Sequence, residues 1–244
     1  MAETPRPVIN YEEYPFLHAY ETLTRYSDCY REMGLGVYGL LRHDLQNYYS
    51  IILMSLELYR LKNDEKYLDK ISEAAYKSLE YMSKFKDVEY YLYKGVVPGI
   101  YSLSHEIEEA FLKYPALSFS IQGNDYNVLA DQALTVIFEF LFSNIVAYGN
   151  TGAEVSIFIS EFVEDGVKKC RTDVTNIGDP IPEPVRGSLF LPGAKGPKSS
   201  GFGLGLYISK ITAARYGGDL ILKESTPEKT TFSLILPVVE VAEK

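Results

Sequence analysis

Two stretches of the chain carry apolar residues at every third or fourth position, which is the period of an amphipathic α-helix. The first runs from about residue 26 to residue 61, and the second follows the short polar segment 62–65. The apolar stripes consist of Leu41, Leu45, Tyr48, Ile52, Leu56 and Tyr59, and of Leu68, Ile71, Ala75, Leu79, Met82 and Phe85. The pattern predicts two helices joined by a tight turn, an antiparallel hairpin.

A single hairpin of this kind leaves much of its apolar seam in water, and the usual remedy is dimerisation into a four-helix bundle. We therefore expect a homodimer. Residues 26–95 are assigned to the hairpin, and residues 1–25, which lack a sustained period, to an N-terminal extension or lead-in helix.

The pattern changes after residue 95, where Gly95, Pro98 and Gly99 interrupt the helical period. Beyond them, helices alternate with short β-like runs, and residues 96–244 are expected to form one α+β sandwich domain. The helices are expected after the acidic start at Ser102 or Ser104, at 131–148 and at 204–216, and the strands at 117–121, 155–162, 167–175, 220–222 and 231–236.

The composition of the chain argues against several classes of function. A formal net charge of -9 argues against a nucleic-acid binder, which needs a surplus of Lys and Arg. No apolar run approaches the roughly 20 residues that span a bilayer, so no membrane segment is expected in this chain and a cytoplasmic location is predicted. The two cysteines, Cys29 and Cys170, lie too far apart to suggest a metal motif or a disulfide framework.

The sequence RHDLQN in the first helix carries candidate chemistry. His43 and Asn47 share a helix face displaced from the apolar stripe, so His43 is expected to face solvent. A neutral imidazole can attack a phosphoryl group, and the adjacent Asp44 could orient the ring or take its proton. Alternatively, His43 and Asp44 are an ordinary solvated pair.

The second part of the chain contains three polar or glycine-rich candidates. Asn144 lies in an otherwise apolar helix and could contact a metal on phosphate oxygens, or could instead cap a neighbouring loop. Asn176 and Gly178 follow a strand in NIGDPIP, a turn that could contact an adenine. GFGLGL leads into a helix and could present free backbone amides to phosphate, although such a motif alone is weak evidence for a phosphate site. Residues 192–200, which precede it, could act as a lid.

In this order, RHDLQN, SNIVAYGN, VTNIGDPIP, LFLPG, GFGLGLYISKI and TTFSLILP resemble the phosphoacceptor box, N-box, glycine boxes, phenylalanine box and terminal strand of two-component histidine kinases. The resemblance covers residues 30–238. It implies a dimerisation and histidine-phosphotransfer hairpin followed by a catalytic ATP-binding domain of the GHKL type, with the Bergerat fold.

The resemblance also implies roles for individual residues. In the hairpin, His43 would be the phosphoacceptor, Asp44 its acidic neighbour, and Asn47 would assist hydrolysis of the phosphorylated partner. In the catalytic domain, Asn144 would hold Mg²⁺, and the nucleotide would contact Tyr148, Asn176, Gly178, Gly201, Gly203, Gly205, Leu206 and Thr231.

Three positions depart from the family pattern. Asn176 stands where Asp commonly receives the adenine amino group, Phe140 where Asn commonly stands one turn before the magnesium residue, and Ala147 where a basic residue is frequent. Phe140 removes a polar side chain near the metal, and a hydrogen bond to a charged group contributes about 1.5–3 kcal/mol. A slow kinase is compatible with this pattern.

The leading hypothesis is therefore an enzyme that uses ATP and Mg²⁺ to phosphorylate its own His43, and then transfers the phosphoryl group to an aspartate on a response-regulator receiver domain. A second hypothesis is a phosphotransfer or phosphatase adaptor with a degenerate nucleotide site. A third is a protein-serine kinase or another ATPase in which His43 is incidental.

Overall fold

The computed structural model describes residues 15–93, 99–149, 154–194 and 203–240. Helices α1 (Pro15–Lys62) and α2 (Lys66–Tyr93) form the predicted hairpin. Asn63 ends α1 with a positive φ of 48° and donates its amide to the Tyr59 carbonyl, 2.7 Å away. Asp64 accepts the Lys66 amide at 3.1 Å and so satisfies a free donor at the start of α2. This short turn makes the helices antiparallel.

The contact between the two helices differs in part from the predicted seam. All six residues of the first stripe are partly buried. Among the α2 side chains that the structure describes, Tyr67, Ala74 and Ser78 are buried. Of the predicted stripe, Ile71 and Ala75 are partly buried, whereas Leu68, Leu79 and Met82 are exposed and lie about one position away from the buried residues.

The remaining chain forms a sandwich of helices on a mixed sheet. Its elements are β1 (Gly99–Ser102), α3 (Leu103–Phe111), β2 (Ser118–Gly123), β3 (Asn127–Ala130), α4 (Ala133–Tyr148), β4 (Glu154–Glu164), β5 (Val167–Asn176), α5 (Glu183–Arg186), α6 (Gly205–Arg215), β6 (Asp219–Ser225) and β7 (Thr230–Pro237). Five strands lie in the order β2-β4-β5-β7-β6, with only β2 and β4 parallel, while β1 and β3 form a separate antiparallel pair.

One face of the five-stranded sheet, the inner face, packs on helices α3, α4 and α6. Val155, Ile157 and Ile159 alternate on β4 with exposed residues, and they join one buried core with side chains of all three helices. Helix α4 is buried on most sides, which explains why its sequence is almost wholly apolar. The α+β sandwich predicted from the sequence is confirmed.

A buried polar cluster joins the start of α4 to the end of α6. The side chains of Asp131 and Arg215 are both 0% exposed, and Arg215 Nη2 lies 2.5 Å from Asp131 Oδ2. Asp131 Oδ1 accepts from the Tyr216 hydroxyl at 2.6 Å and from the Ala133 amide at 2.8 Å. Because Asp131 precedes α4 and Arg215 ends α6, the cluster fixes these helices side by side and antiparallel.

The helices and strands expected from the sequence are present, and three short elements, β1, β3 and α5, were not predicted. Helix α1 begins at Pro15, so it includes part of the segment assigned to an extension. The domain boundary predicted after residue 95 lies outside the described residues. None of the helices in the described ranges has the length and apolar character needed to cross a membrane.

Candidate functional site

His43 lies on the exposed face of α1, with 69% of its side chain accessible. Its Nδ1 is 3.0 Å from Asp44 Oδ1, and Asn47 Nδ2 is 3.4 Å from the same ring nitrogen. A carboxylate can only accept, so the shorter contact requires Nδ1 to carry the proton. A protonated Nδ1 cannot also accept from Asn47, so the 3.4 Å approach of Asn47 Nδ2 is not a hydrogen bond in that tautomer. In the neutral ring, Nε2 then carries the free lone pair, on a side chain that is largely exposed.

The C-terminal half of α4 presents Asn144 towards the start of α6. Phe140, one turn before Asn144 on the same helix face, touches Gly205, where an added Cβ would lie 3.0 Å from the phenylalanine ring. Because the two helices are antiparallel, Asn144 lies beyond the first residue of α6. Its amide is partly buried and has no hydrogen-bond partner among the described residues. Asn144 is therefore free to contact a ligand.

Asn176 and Gly178 lie against the C-terminal end of α4. Gly178 pairs with Gly149, and a Cβ on Gly178 would be only 2.9 Å from both the Gly149 Cα and the Tyr148 carbonyl oxygen. Only glycine permits this close approach. Asn176 is 8% exposed, and its Nδ2 makes one long contact of 3.4 Å with the Ile177 carbonyl. Its Oδ1 makes no hydrogen bond with the described residues and is thus left as an acceptor.

The second glycine motif is described from Gly203 onwards, and Gly201 lies outside the described residues. Gly203 has a φ of +67°, and its carbonyl accepts the Gly193 amide at 3.0 Å. Leu204 precedes α6 without making a side-chain cap, so the first amides of the helix, including those of Gly205 and Leu206, have no intrahelical acceptor. The positive end of α6 therefore faces the region of Asn144. The predicted lid, 192–200, is described only as far as residue 194.

The register of the sheet places Thr231 on the face opposite to Asn176. Thr231 pairs with Thr175 on the outer face, and the two hydroxyl oxygens are 2.9 Å apart. Thr230 is the residue that pairs with Asn176, and directly paired residues lie on the same face of a sheet. The expectation of a contact with the base therefore moves by one position, from Thr231 to Thr230.

A polar row on the inner face was not found from the sequence. Asn176, Thr230 and Ser225 are register neighbours on β5, β7 and β6, and all are buried. Ser225 Oγ lies 3.0 Å from Thr230 Oγ1 and accepts the Ile181 amide at 2.8 Å. Arg186 of α5 donates to the Ile181 and Ser225 carbonyls. The row brings together segments distant in sequence, and no local pattern reveals it.

Residues 130–240 match the model of the histidine kinase-, DNA gyrase B- and HSP90-like ATPases. This part of the chain is similar to those ATPases. The matched range includes Asn144, Asn176 and the start of α6. The resemblance to two-component histidine kinases inferred from the motifs is confirmed.

Solved structures of sensor kinases have the same fold. The chain is 19% identical to a mycobacterial sensor histidine kinase, MprB, over 59% of this chain and 100% of that chain, with a TM-score of 0.51. For histidine kinase AdeS of Acinetobacter baumannii the identity is 14%, covering 81% and 98%, with a TM-score of 0.50. The histidine kinase ThkA, in complex with the response regulator protein TrrA, is 20% identical, covering 91% and 67%, with a TM-score of 0.57.

At these identities the similarity concerns the fold, and it extends over the hairpin as well as the ATPase domain. No curated protein matches the chain. The chain therefore has a histidine-kinase type of catalytic domain preceded by a helical hairpin with an exposed histidine.

Proposed function

We propose that this protein is a two-component histidine kinase, which transfers the γ-phosphoryl group of ATP to His43 and then to an aspartate of a response-regulator receiver domain. The observation that carries the proposal is the state of His43. Its Nδ1 donates to Asp44 and its side chain is largely exposed, in a chain that also contains a domain similar to the histidine kinase-, DNA gyrase B- and HSP90-like ATPases.

The described residues fit an adenine nucleotide. Asn176 Oδ1 and Thr230 Oγ1 can take the base amino group, and Gly178 lets the segment after Asn176 lie close against the end of α4. The free amides at the start of α6 suit phosphate oxygens. Asn144, with its unengaged amide one turn beyond Phe140, is the side chain that would contact Mg²⁺.

Magnesium is expected to depend on the nucleotide. Among the described residues, no group of three His, Cys, Asp or Glu side chains could hold a metal ion. Mg²⁺ commonly binds through one or two protein ligands together with phosphate oxygens, and Asn144 would supply one such ligand. When bound, the ion would neutralise negative charge on the phosphate oxygens.

The chemistry at His43 follows from its tautomer. Nε2 attacks the γ-phosphorus, the bond from that phosphorus to the oxygen bridging to the β-phosphate breaks, and ADP leaves with the electron pair. The ring then carries a phosphoryl group on Nε2 and a proton on Nδ1, so it is positively charged. Asp44 stabilises this charge through the existing 3.0 Å contact.

Transfer to a receiver needs access to His43, and the exposed face of α1 provides it. The solved complex of ThkA with TrrA supports a receiver as the partner, since its kinase shares this fold over most of the chain. Asn47, one turn after His43, could orient a water molecule towards a phosphorylated receiver, which is the phosphatase role proposed for it.

The exposed apolar face of the hairpin supports a homodimer. Ile51 on α1 and Leu68, Leu79 and Met82 on α2 are all at least 40% exposed. Such a face on two adjacent helices is typical of an interface within a four-helix bundle. Leu79→Glu should convert the dimer to a monomer in light scattering, whereas Leu112→Glu, at an exposed apolar position of the catalytic domain, should not. A wild-type monomer would refute the dimer.

A second candidate is a phosphotransfer adaptor with little ATP turnover. It is favoured by the Phe140 ring, which packs on Gly205 and lines the phosphate end of the site with an apolar surface. The exposed Ala147 adds no charge there.

The deciding experiment is incubation of the purified protein with γ-labelled ATP and magnesium. The kinase predicts an acid-labile label that is lost in His43→Ala and kept in His105→Ala, since His105 is an exposed histidine of the catalytic domain. Label that resists acid would identify a serine or threonine kinase. Absence of label, together with absence of nucleotide binding by calorimetry, would instead favour the adaptor.

A further inference from the structure

Arg186 ties together two segments that border the base end of the nucleotide site. Its Nε donates to the Ile181 carbonyl at 3.0 Å, and its Nη2 donates to the Ser225 carbonyl at 2.8 Å. The Ile181 amide in turn donates to Ser225 Oγ at 2.8 Å. Three hydrogen bonds thus close a ring between the segment that follows β5 and the C-terminal end of β6.

This ring adjoins the polar row of the inner face. Ser225 belongs to the row itself and lies 3.0 Å from Thr230 Oγ1, while Thr230 is the register partner of Asn176. Only the segment 177–180 separates Asn176 from Ile181, and Gly178 in that segment touches the end of α4. Whatever holds Ile181 therefore limits how far Asn176 and Gly178 can move.

We propose that Arg186 is a positioning residue for base recognition, which holds the segment 177–182 over the row Asn176, Thr230 and Ser225. The inference rests on the proposed function, because it assigns the base of ATP to this row. The planar guanidinium suits the task because its donors are fixed in one fork, and here two of them reach two different carbonyls at once.

A positioning role for Arg186 affects binding of the base and leaves phosphoryl transfer unchanged. His43, Asn144 and the start of α6 make no described contact with Arg186, so loosening the segment weakens contact with the base and leaves the phosphoryl end as it is. Asn176 Oδ1 accepts from the amino group of adenine, which guanine lacks at the same ring position. A mobile Asn176 therefore also distinguishes the two bases less well.

The test compares Arg186→Gln and Arg186→Lys with Lys229→Gln. Lys229 is a matched control because it lies in the turn between β6 and β7 but forms only a surface ion pair with Glu224. The expected result for both Arg186 variants is a rise of about five- to tenfold in KM for ATP, as for the loss of one or two hydrogen bonds, with kcat within about twofold. The ratio of kcat/KM for ATP to that for GTP should fall, and Lys229→Gln should behave as wild type.

The outcomes distinguish this inference from the function on which it rests. Wild-type protein that binds neither ATP nor GTP in calorimetry would overturn both. Wild-type protein that uses ATP, with Arg186 variants of unchanged KM and unchanged discrimination, would overturn the positioning role alone. A loss in kcat without a change in KM, or a lowered urea midpoint with the ATP-to-GTP ratio preserved, would also overturn it, because either result would indicate a general structural effect.

Discussion

Removal of the negative charge of Asp131 should destabilise the catalytic domain strongly. Asp131 and Arg215 are both fully buried, and the carboxylate accepts hydrogen bonds from Arg215, Tyr216 and the Ala133 amide. In Asp131→Asn the shape of the side chain is kept, but the guanidinium loses its counter-charge. Removing one partner of a buried ion pair typically costs about 3–5 kcal/mol. Because the free energy of unfolding of a domain is commonly only about 5–15 kcal/mol, this cost is a large fraction of the total.

Urea denaturation followed by far-UV circular dichroism measures the effect. With an m-value of roughly 2–3 kcal/mol per molar urea, the midpoint should fall by about 1–2 M. Lys229→Gln removes a surface ion pair from the same sheet and should change the free energy of unfolding by less than about 1 kcal/mol. Asp131→Leu combined with Arg215→Met should recover part of the loss, because it removes the unpaired charge although the Tyr216 hydroxyl and the Ala133 amide lose their acceptor.

Two results would contradict this reasoning. One is a cost of Asp131→Asn no larger than that of the surface control. The other is a double variant less stable than Asp131→Asn, which would mean that packing around the cluster matters more than the pairing of its charges.

Three further predictions concern single sites. Gly178→Ala should lower ATP affinity at least about tenfold in calorimetry, because a Cβ there meets backbone at 2.9 Å, whereas Gly187→Ala, with open space around it, should bind as wild type. Burial raises the pKa of the Asp125 carboxyl, but hydrogen bonds from serines at the start of α3 outweigh this and hold the pKa below its usual value. The ionised Asp125 carboxylate therefore stabilises the fold above a pH of about 3.9, and this contribution is lost as the pH falls through the lowered pKa. The urea midpoint of Asp125→Asn should accordingly fall less steeply in acid than that of the wild type. Burial raises the pKa of the Cys170 thiol to about 11, so little of the reactive thiolate is present at a pH of about 8. In a Cys29→Ser background, iodoacetamide at that pH should therefore label Cys170 only after unfolding, and rapid labelling of the native protein would contradict this.

Long periodic elements were predictable from sequence, and short ones were not. The hairpin, α4 and the pair β4 and β5 repeat their pattern over ten or more residues, so the period itself identifies them. Strands β1 and β3 have only four residues each and exist because they pair with each other. On α2, two adjacent stripes both had helical spacing, and only packing against α1 selected Tyr67, Ala74 and Ser78.

In the candidate site, too, contacts between sequence neighbours were predictable and contacts between distant segments were not. His43 and Asp44 are neighbours in sequence, so their contact could be expected from the helix alone. The choice between Thr230 and Thr231 depends on the pairing of β7 with β5, and a shift of one residue reverses the face. Arg186 contacts Ser225 across 39 positions of sequence, which no local pattern could indicate.

The position of β7 within the sheet has a consequence for biosynthesis. β7 is formed by residues 230–237, yet it lies between β5 and β6, and its Thr230 completes the polar row. During translation, β5 therefore cannot pair with β7 until residues 230–237 have left the exit tunnel of the ribosome. The hairpin of α1 and α2, whose contacts are local, needs no such delay. A nascent chain would thus form the hairpin with its exposed histidine well before the sheet of its ATPase-like domain is complete.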